Sequence, residues 1–293
     1  MHEHGRAIGL MLFSTLCFAI MGAFVKLAAD VPVVEKVMFR NLVTLVVAGA
    51  VVLRNRSPLL GRSGNRRWLV LRSVLGVGGV GCYFWAIDHL LLADAAMLNK
   101  LSPFFVFLLA GAILKEPQRR STFVALLLAF AGALCVIKPR FDLDVLPALV
   151  GLASAFFAGA AYTVLRFLRD RESPETIVFM FSAITVAMTA PVVAIGFSLP
   201  TGLDGWWLFG IGLAAAGGQF ALTSAYHHAP ATEVSLYSYA VILFSAILGF
   251  VLFGEVPDLL SVIGGVLILT AGAMVWLLRP RPYSTNTSDS QGQ

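Results

Sequence analysis

The sequence predicts an all-α integral membrane protein: ten transmembrane helices in two inverted five-helix repeats around a central cavity, with both termini cytoplasmic. Three observations predict it. Charged residues make up only 13% of the 293-residue chain, against 58% hydrophobic. That is about half the charge share of a soluble domain, so most of the exterior has to face lipid. The apolar residues collect in stretches of roughly 20, the number a helix rising 1.5 Å per residue needs to cross a hydrocarbon core about 30 Å thick. Finally, the second half of the chain repeats the first.

The spans follow in order. The first, about residues 6–29, comes after Arg6 and outruns the ~7–15-residue apolar region of a secretory signal, so it is read as an uncleaved helix. The second, 33–53, opens after Pro32. The third, 68–91, is rich in glycine, and the fourth, 94–114, contains Pro103, which withholds an N–H from the helix ladder and is expected to bend it. The fifth is 120–138. The second set covers 145–168, 175–197, 206–228, 231–253 and 259–278, with Pro174, Pro230 and Pro257 near helix starts. A proline there costs little, because first-turn N–H groups have no partner inside the helix. Residues 280–293 are rich in Ser, Thr and Gln and read as a disordered cytoplasmic tail. The two repeats are thus 6–139 and 145–279.

Orientation follows from Lys and Arg, which favour cytoplasmic connections. Most of the 21 basic residues fall on one side if the N-terminus is inside, among them Arg54, Arg56, Arg62, Arg66, Arg67, Arg72, Arg169 and Arg171. Lys26, Lys36, Arg40, Lys100, Lys138 and Arg140 lie in the outer half. The net charge of +5 is explained by this topology, and nucleic-acid binding is not needed to account for it. Cys17, Cys82 and Cys135 sit singly in apolar runs, which supports neither a disulfide framework nor a zinc site. No cofactor is implied, and no phosphate-binding G-x-x-x-x-G-K-[ST] run is present for ATP-driven pumping.

The repeat is visible residue by residue. An offset of 139 pairs Trp68 with Trp207, Gly78-Gly79 with Gly217-Gly218, Ala86 with Ala225, His89 with His228 and Glu116 with Glu255. Ala131-Gly132-Ala133 matches Ala271-Gly272-Ala273 at 140, while Gly9-Leu10 matches Gly151-Leu152 and Pro32 matches Pro174 at 142. A unit of five spans enters the membrane upside down the second time. Such inverted repeats place substrate between the halves near mid-membrane.

Gly9 with Phe18-Ala19, Ala93 through Pro103-Phe104, Glu116-Pro117 and Glu255-Val256-Pro257 carry a further likeness. The two tandem units resemble the paired EamA domains of the drug/metabolite transporter superfamily over essentially all of residues 6–279. The chain is most similar there to amino-acid and metabolite exporters, including aromatic amino-acid exporters of the YddG type. The resemblance implies that spans 1, 3, 4, 6, 8 and 9 surround the cavity while 2, 5, 7 and 10 lie peripherally.

Candidate cavity residues come from polar groups placed at depth. Tyr83, Tyr162, Tyr226, Tyr237 and Tyr239 all fall on spans 3, 6, 8 and 9 and none on a peripheral span. A phenol wants a hydrogen-bond partner, which a wet cavity or the interfacial belt provides. Tyr162 and Tyr226 fit the belt, Tyr83 and Tyr239 the cavity, and Trp85 either. Gln219, midway along span 8, needs a partner in a neighbouring helix or in the cavity. Ser14, Thr15 and Ser154 lie at similar depth, where hydroxyls also bond back within their own helix. Lys100 either attracts a substrate carboxylate or snorkels outward. Arg40 is expected to pair with Glu35 or Asp94, and Glu116 and Glu255 to cap the helices that follow them. His89, His227, His228 and Asp88 lie at helix ends without a converging third metal ligand.

The expected function is export of aromatic or neutral amino acids, or related small metabolites, by alternating access across the cytoplasmic (inner) membrane, through facilitated diffusion or exchange down a substrate gradient, with proton coupling left open. The partners are a small-molecule substrate and the bilayer, and the carrier is read as a monomer, with an oligomer left open. Alternatives are a larger metabolite or drug, such as a flavin, a nucleoside-like cofactor or a cationic compound, and more remotely a channel or an intramembrane enzyme. The last would need a midplane Ser–His pair, paired Asp residues or a zinc constellation, and the midplane offers mainly Ser, Thr and Gln.

Overall fold

The computed structural model describes residues 2–114, 120–137, 145–168, 171–197, 202–228 and 235–277. Among them all regular structure is helical: α1 (His2–Leu27), α2 (Val33–Asn55), α3 (Arg66–His89), α4 (Leu92–Asn99), α5 (Ser102–Leu114), α6 (Arg120–Ile137), α7 (Leu146–Leu168), α8 (Pro174–Gly196), α9 (Asp204–His228), α10 (Ala240–Phe253) and α11 (Leu259–Leu277). Single 3-10 turns occur at Ser63–Asn65 and Ser235–Tyr239. Five stretches, Gly5–Leu27, Val33–Asn55, Ser63–His89, Leu146–Leu165 and Pro174–Gly196, are long and apolar enough to cross a membrane. Large apolar side chains such as Val46, Ile195, Leu213, Leu243 and Phe250 stand exposed on the helix surfaces, as lipid-facing positions require. Glu116, Lys138, Arg140 and the tail from 280 lie outside the described residues, as do the side chains of Tyr226 and His227.

The continuous fourth helix expected over 94–114 is instead two. α4 closes at Asn99, Lys100 and Leu101 form a turn, and α5 opens at Ser102 with Pro103 in its first turn rather than at a mid-helix bend. The reason lies in the ladder. Pro103 has no N–H to donate, so hydrogen bonding restarts beyond it, with the Phe104 N–H donating to the Leu101 carbonyl at 2.9 Å. At the offset of 139, Lys100 corresponds to Tyr239, and there too helical character changes. Residues Ser235–Tyr239 form a 3-10 turn and α10 begins at Ala240.

The helices pack mainly across the halves. α2 lies on α8 at one edge and α6 on α11 at the other. Between these edges α9 packs on α1 and α2, α3 on α7 and α8, α1 on α10, α7 on α4 and α5, and α4 on α10. Exchanging the halves converts α1–α9 into α7–α3, α2–α9 into α8–α3 and α1–α10 into α7–α5, so each of these three contacts has its mate. The core therefore belongs to the interface of the two units.

Small residues set these contacts. A Cβ at Gly218 of α9 would lie 3.0 Å from the Phe18 ring of α1, and one at Gly79 of α3 would lie 3.2 Å from the Ala158 backbone of α7. These are matched glycines against matched helices. On α6 and α11 a Cβ at Gly264 would stand 2.6 Å from the Gly132 carbonyl, so only glycine allows this approach.

The contacts also fix direction. Ser14 bonds to Gly218, whereas Phe24 lies against Gly210, so α1 and α9 are antiparallel. The end of α1 at Gly22 meets Tyr83 and Ile87 at the end of α3, so α1 and α3 are parallel. The corresponding helices α3 and α9 thus run in opposite senses.

Candidate functional site

The sequence-selected polar residues divide between two matched corners of the helix ring. On the α1–α9 side, the Ser14 hydroxyl donates to the Gly218 carbonyl at 2.7 Å, beside half-buried Gln219. Tyr237 packs with Met11, Leu222 and Ala225 on the same pair of helices. On the α7–α4 side, the Ser154 hydroxyl donates back to Gly151 at 2.6 Å and accepts from the Asn99 amide at 3.1 Å. Asn99 was not among the sequence candidates. It ends α4, and only the helix break turns its side chain toward α7. Lys100 follows it as the last cap of α4 and forms no ion pair among the described residues.

Tyr83 is half-buried, its hydroxyl beside Gly22 of α1 and without a hydrogen bond among the described residues. Tyr239 is only 6% exposed and sits against Gly272 of α11, within the apolar cluster built around Met97, Leu98 and Ile268. It faces the peripheral edge of the bundle rather than Tyr83. Trp85 stacks on His89 one turn later, ring centroids 3.9 Å apart, at the end of α3. The ring therefore gathers Ser14, Gln219 and Tyr237 at one corner and Asn99, Lys100 and Ser154 at the other, with Tyr83 near the meeting of α1 and α3. A shallow concavity of about 400 Å³ at the start of α9, lined by Gly202, Gly205, Trp206 and Phe209, contains none of these side chains.

Charges join the elements at one end of this ring. Glu255 was expected to cap the helix that follows it. Instead one carboxylate oxygen accepts from the Leu92 N–H at 2.8 Å, capping α4 of the other half, while the second oxygen pairs with Lys26. Lys26 also donates to the Leu90 carbonyl at 2.7 Å. Gly254, left-handed at φ 66°, turns the chain so that the carboxylate points back into the bundle. Nearby, Lys36, with no exposure, donates to both Asp88 oxygens at 2.7 and 2.8 Å. A buried ion pair of this kind fixes the join of α2 and α3, and breaking it by removing one partner costs about 3–5 kcal/mol.

Arg40 pairs with neither Glu35 nor Asp94. Its Nη1 donates to Asn41 at 3.2 Å, and Asp94 instead accepts from Ser261 at 3.1 Å. Arg40 reaches from α2 toward Phe181 of α8, its guanidinium carbon 5.9 Å from the ring centroid, and Arg72 of α3 approaches the same ring at 4.1 Å. The two are 7% and 8% exposed, and Arg40 Nε, Arg72 Nε and Arg72 Nη1 are buried donors with no acceptor among the described residues. Sequence reading missed Arg72 because it counted with the cytoplasmic basic residues. Burying an ion costs several kcal/mol even after relaxation, and a cation–π contact returns about 0.5–2 kcal/mol.

Comparison with known proteins agrees with this architecture. The model of the EamA-like transporter family matches twice, at residues 5–138 and 145–277. The pseudopaline exporter CntI of Pseudomonas aeruginosa is 38% identical over 266 residues, covering 89% of this chain and 93% of that protein. The riboflavin transporter of Vibrio cholerae is 26% identical over 272 residues, covering 90% and 91%. Human solute carrier family 35 member G1 is 28% identical over 285 residues, covering 90% and 77%. A crystal structure that is 22% identical covers 94% of this chain and 96% of its own with a TM-score of 0.64, a likeness of fold. Twofold family match, exchanged halves and lipid-facing helices converge, and the chain belongs to the EamA-like transporter family, as a non-enzymatic multi-pass membrane transporter.

Proposed function

We propose that the chain is a ten-span carrier that exports amino acids, aromatic or neutral, or related small metabolites by alternating access across the cytoplasmic membrane. In this reading the repeats 6–139 and 145–279 are inverted, both termini are cytoplasmic, and spans 1, 3, 4, 6, 8 and 9 enclose the substrate. One observation carries it. The fourth span is broken at Lys100, and the corresponding position of the ninth, Tyr239, is where a 3-10 segment gives way to α-helix; broken helices at a repeat interface are where transporters hold substrates. Tyr83, Gln219, Ser14, Ser154 and Lys100 are the contacts proposed from within the ring, with Trp85, Tyr237 and Tyr239 supporting its walls.

A second reading, a bulkier metabolite, is favoured by the relatives named for pseudopaline and riboflavin. Counterflow in proteoliposomes with a panel of radiolabelled amino acids and competing metabolites separates the two. Amino acids should self-exchange with saturation; uptake of riboflavin alone would decide for the second reading. Tyr83→Ala and Gln219→Ala should lower flux about 2- to 10-fold, as expected when one hydrogen bond of about 0.5–1.5 kcal/mol is lost. Wild-type flux in both would remove them from the site.

A further inference from the structure

Arg40 and Arg72 form a cationic pair that the fold does not require. At the offsets that pair Pro32 with Pro174 and Trp68 with Trp207, the corresponding residues of the second half are Ser182 and Ile211, both fully buried. The same corner is thus built once with two guanidinium groups and once with none. Both guanidinium groups lie against Phe181, and three of their donor nitrogens have no acceptor among the described residues. Neither arginine forms a salt bridge among the described residues. Asn41 accepts one bond from Arg40 but carries no charge. Ionised groups within a membrane segment count as functional by default, and forked guanidinium donors match the geometry of carboxylate and phosphate oxygens.

We propose that Arg40 and Arg72, backed by Phe181, form an oxyanion-binding site between α2, α3 and α8. Its ligand is a carboxylate or phosphate group, brought by a dissolved small molecule or by a lipid headgroup. The site lies beside the helix ring, and binding there is independent of whether the chain carries amino acids.

Equilibrium binding of radiolabelled citrate and inorganic phosphate to the purified full-length chain in neutral detergent tests this, together with its thermal unfolding with and without phosphatidylglycerol. Wild type should show saturable binding, or a lipid-dependent rise in unfolding temperature. Arg72→Ile, which copies the other half, should fold, match or exceed wild-type stability without anion, and weaken the response at least 10-fold. Arg72→Lys should retain part of it, and Arg40→Gln serves where Arg72→Ile yields too little protein. A response to citrate or phosphate identifies a soluble ligand, and one to phosphatidylglycerol alone identifies a headgroup. No response in wild type to any of the three overturns the site, as does one unchanged in both Arg72→Ile and Arg40→Gln. Arg-dependent binding in a chain without amino-acid flux would leave the site standing while the carrier reading falls.

Discussion

Lys36 shows what a single residue can do when its surroundings are apolar. Its ammonium is fully enclosed and compensated by Asp88, its one ion-pair partner among the described residues. Asp88→Asn leaves a charge with no counter-ion and should destabilise the chain by about 3–5 kcal/mol, read as a lowered unfolding temperature in detergent. Lys36→Met combined with Asp88→Leu should recover most of that loss, since a packed apolar pair replaces a buried ionic one at little cost. A double variant no more stable than Asp88→Asn would show that the pair does more than neutralise itself. Neither partner stood out in the sequence, because Lys36 and Asp88 lie near predicted span ends, where charges are ordinary. Their pairing needed α2 and α3 to be brought alongside each other.

At the scale of elements, glycine and carboxylate placement decide how helices meet. The Gly132–Gly264 crossing leaves no room for a Cβ on either helix. Gly264→Val should therefore separate α6 from α11 and shift the extracted protein toward aggregates in size-exclusion chromatography. Gly81→Val, where a Cβ meets nothing within 4 Å, should remain monodisperse; equal behaviour of the two would contradict the packing described. Glu255→Ala removes a cap from α4, worth about 1 kcal/mol, and also strands Lys26. Its effect should exceed that of a simple cap and appear as faster amide exchange at the start of α4. The sequence marked Glu255 as a capping group, but the helix it caps belongs to the other half. Local pattern names the kind of interaction, whereas the partner depends on a contact 163 residues away. The break at Lys100 was legible only in part: Pro103 announced a disturbance, and the ladder placed it three residues earlier.

For the whole molecule, the proposed arrangement of two inverted five-span units predicts that both chain ends emerge on the cytoplasmic side of the bilayer. Cysteines introduced at His4 and Ser290 should react with a membrane-impermeant maleimide only after the cytoplasmic face is opened. Labelling of one end from outside would refute the inverted arrangement. By itself the sequence determined the lipid-facing helices, the number of repeats and the set of polar residues at depth. Charge scarcity and span length are properties of the chain that no packing can alter. Only the tertiary structure decided which of those residues share a corner, why Tyr239 turns to α11 and not to Tyr83, and that Arg40 and Arg72 meet over Phe181. These are consequences of helices from opposite halves interlocking, a relation between distant segments on which the periodicity of any one helix is silent.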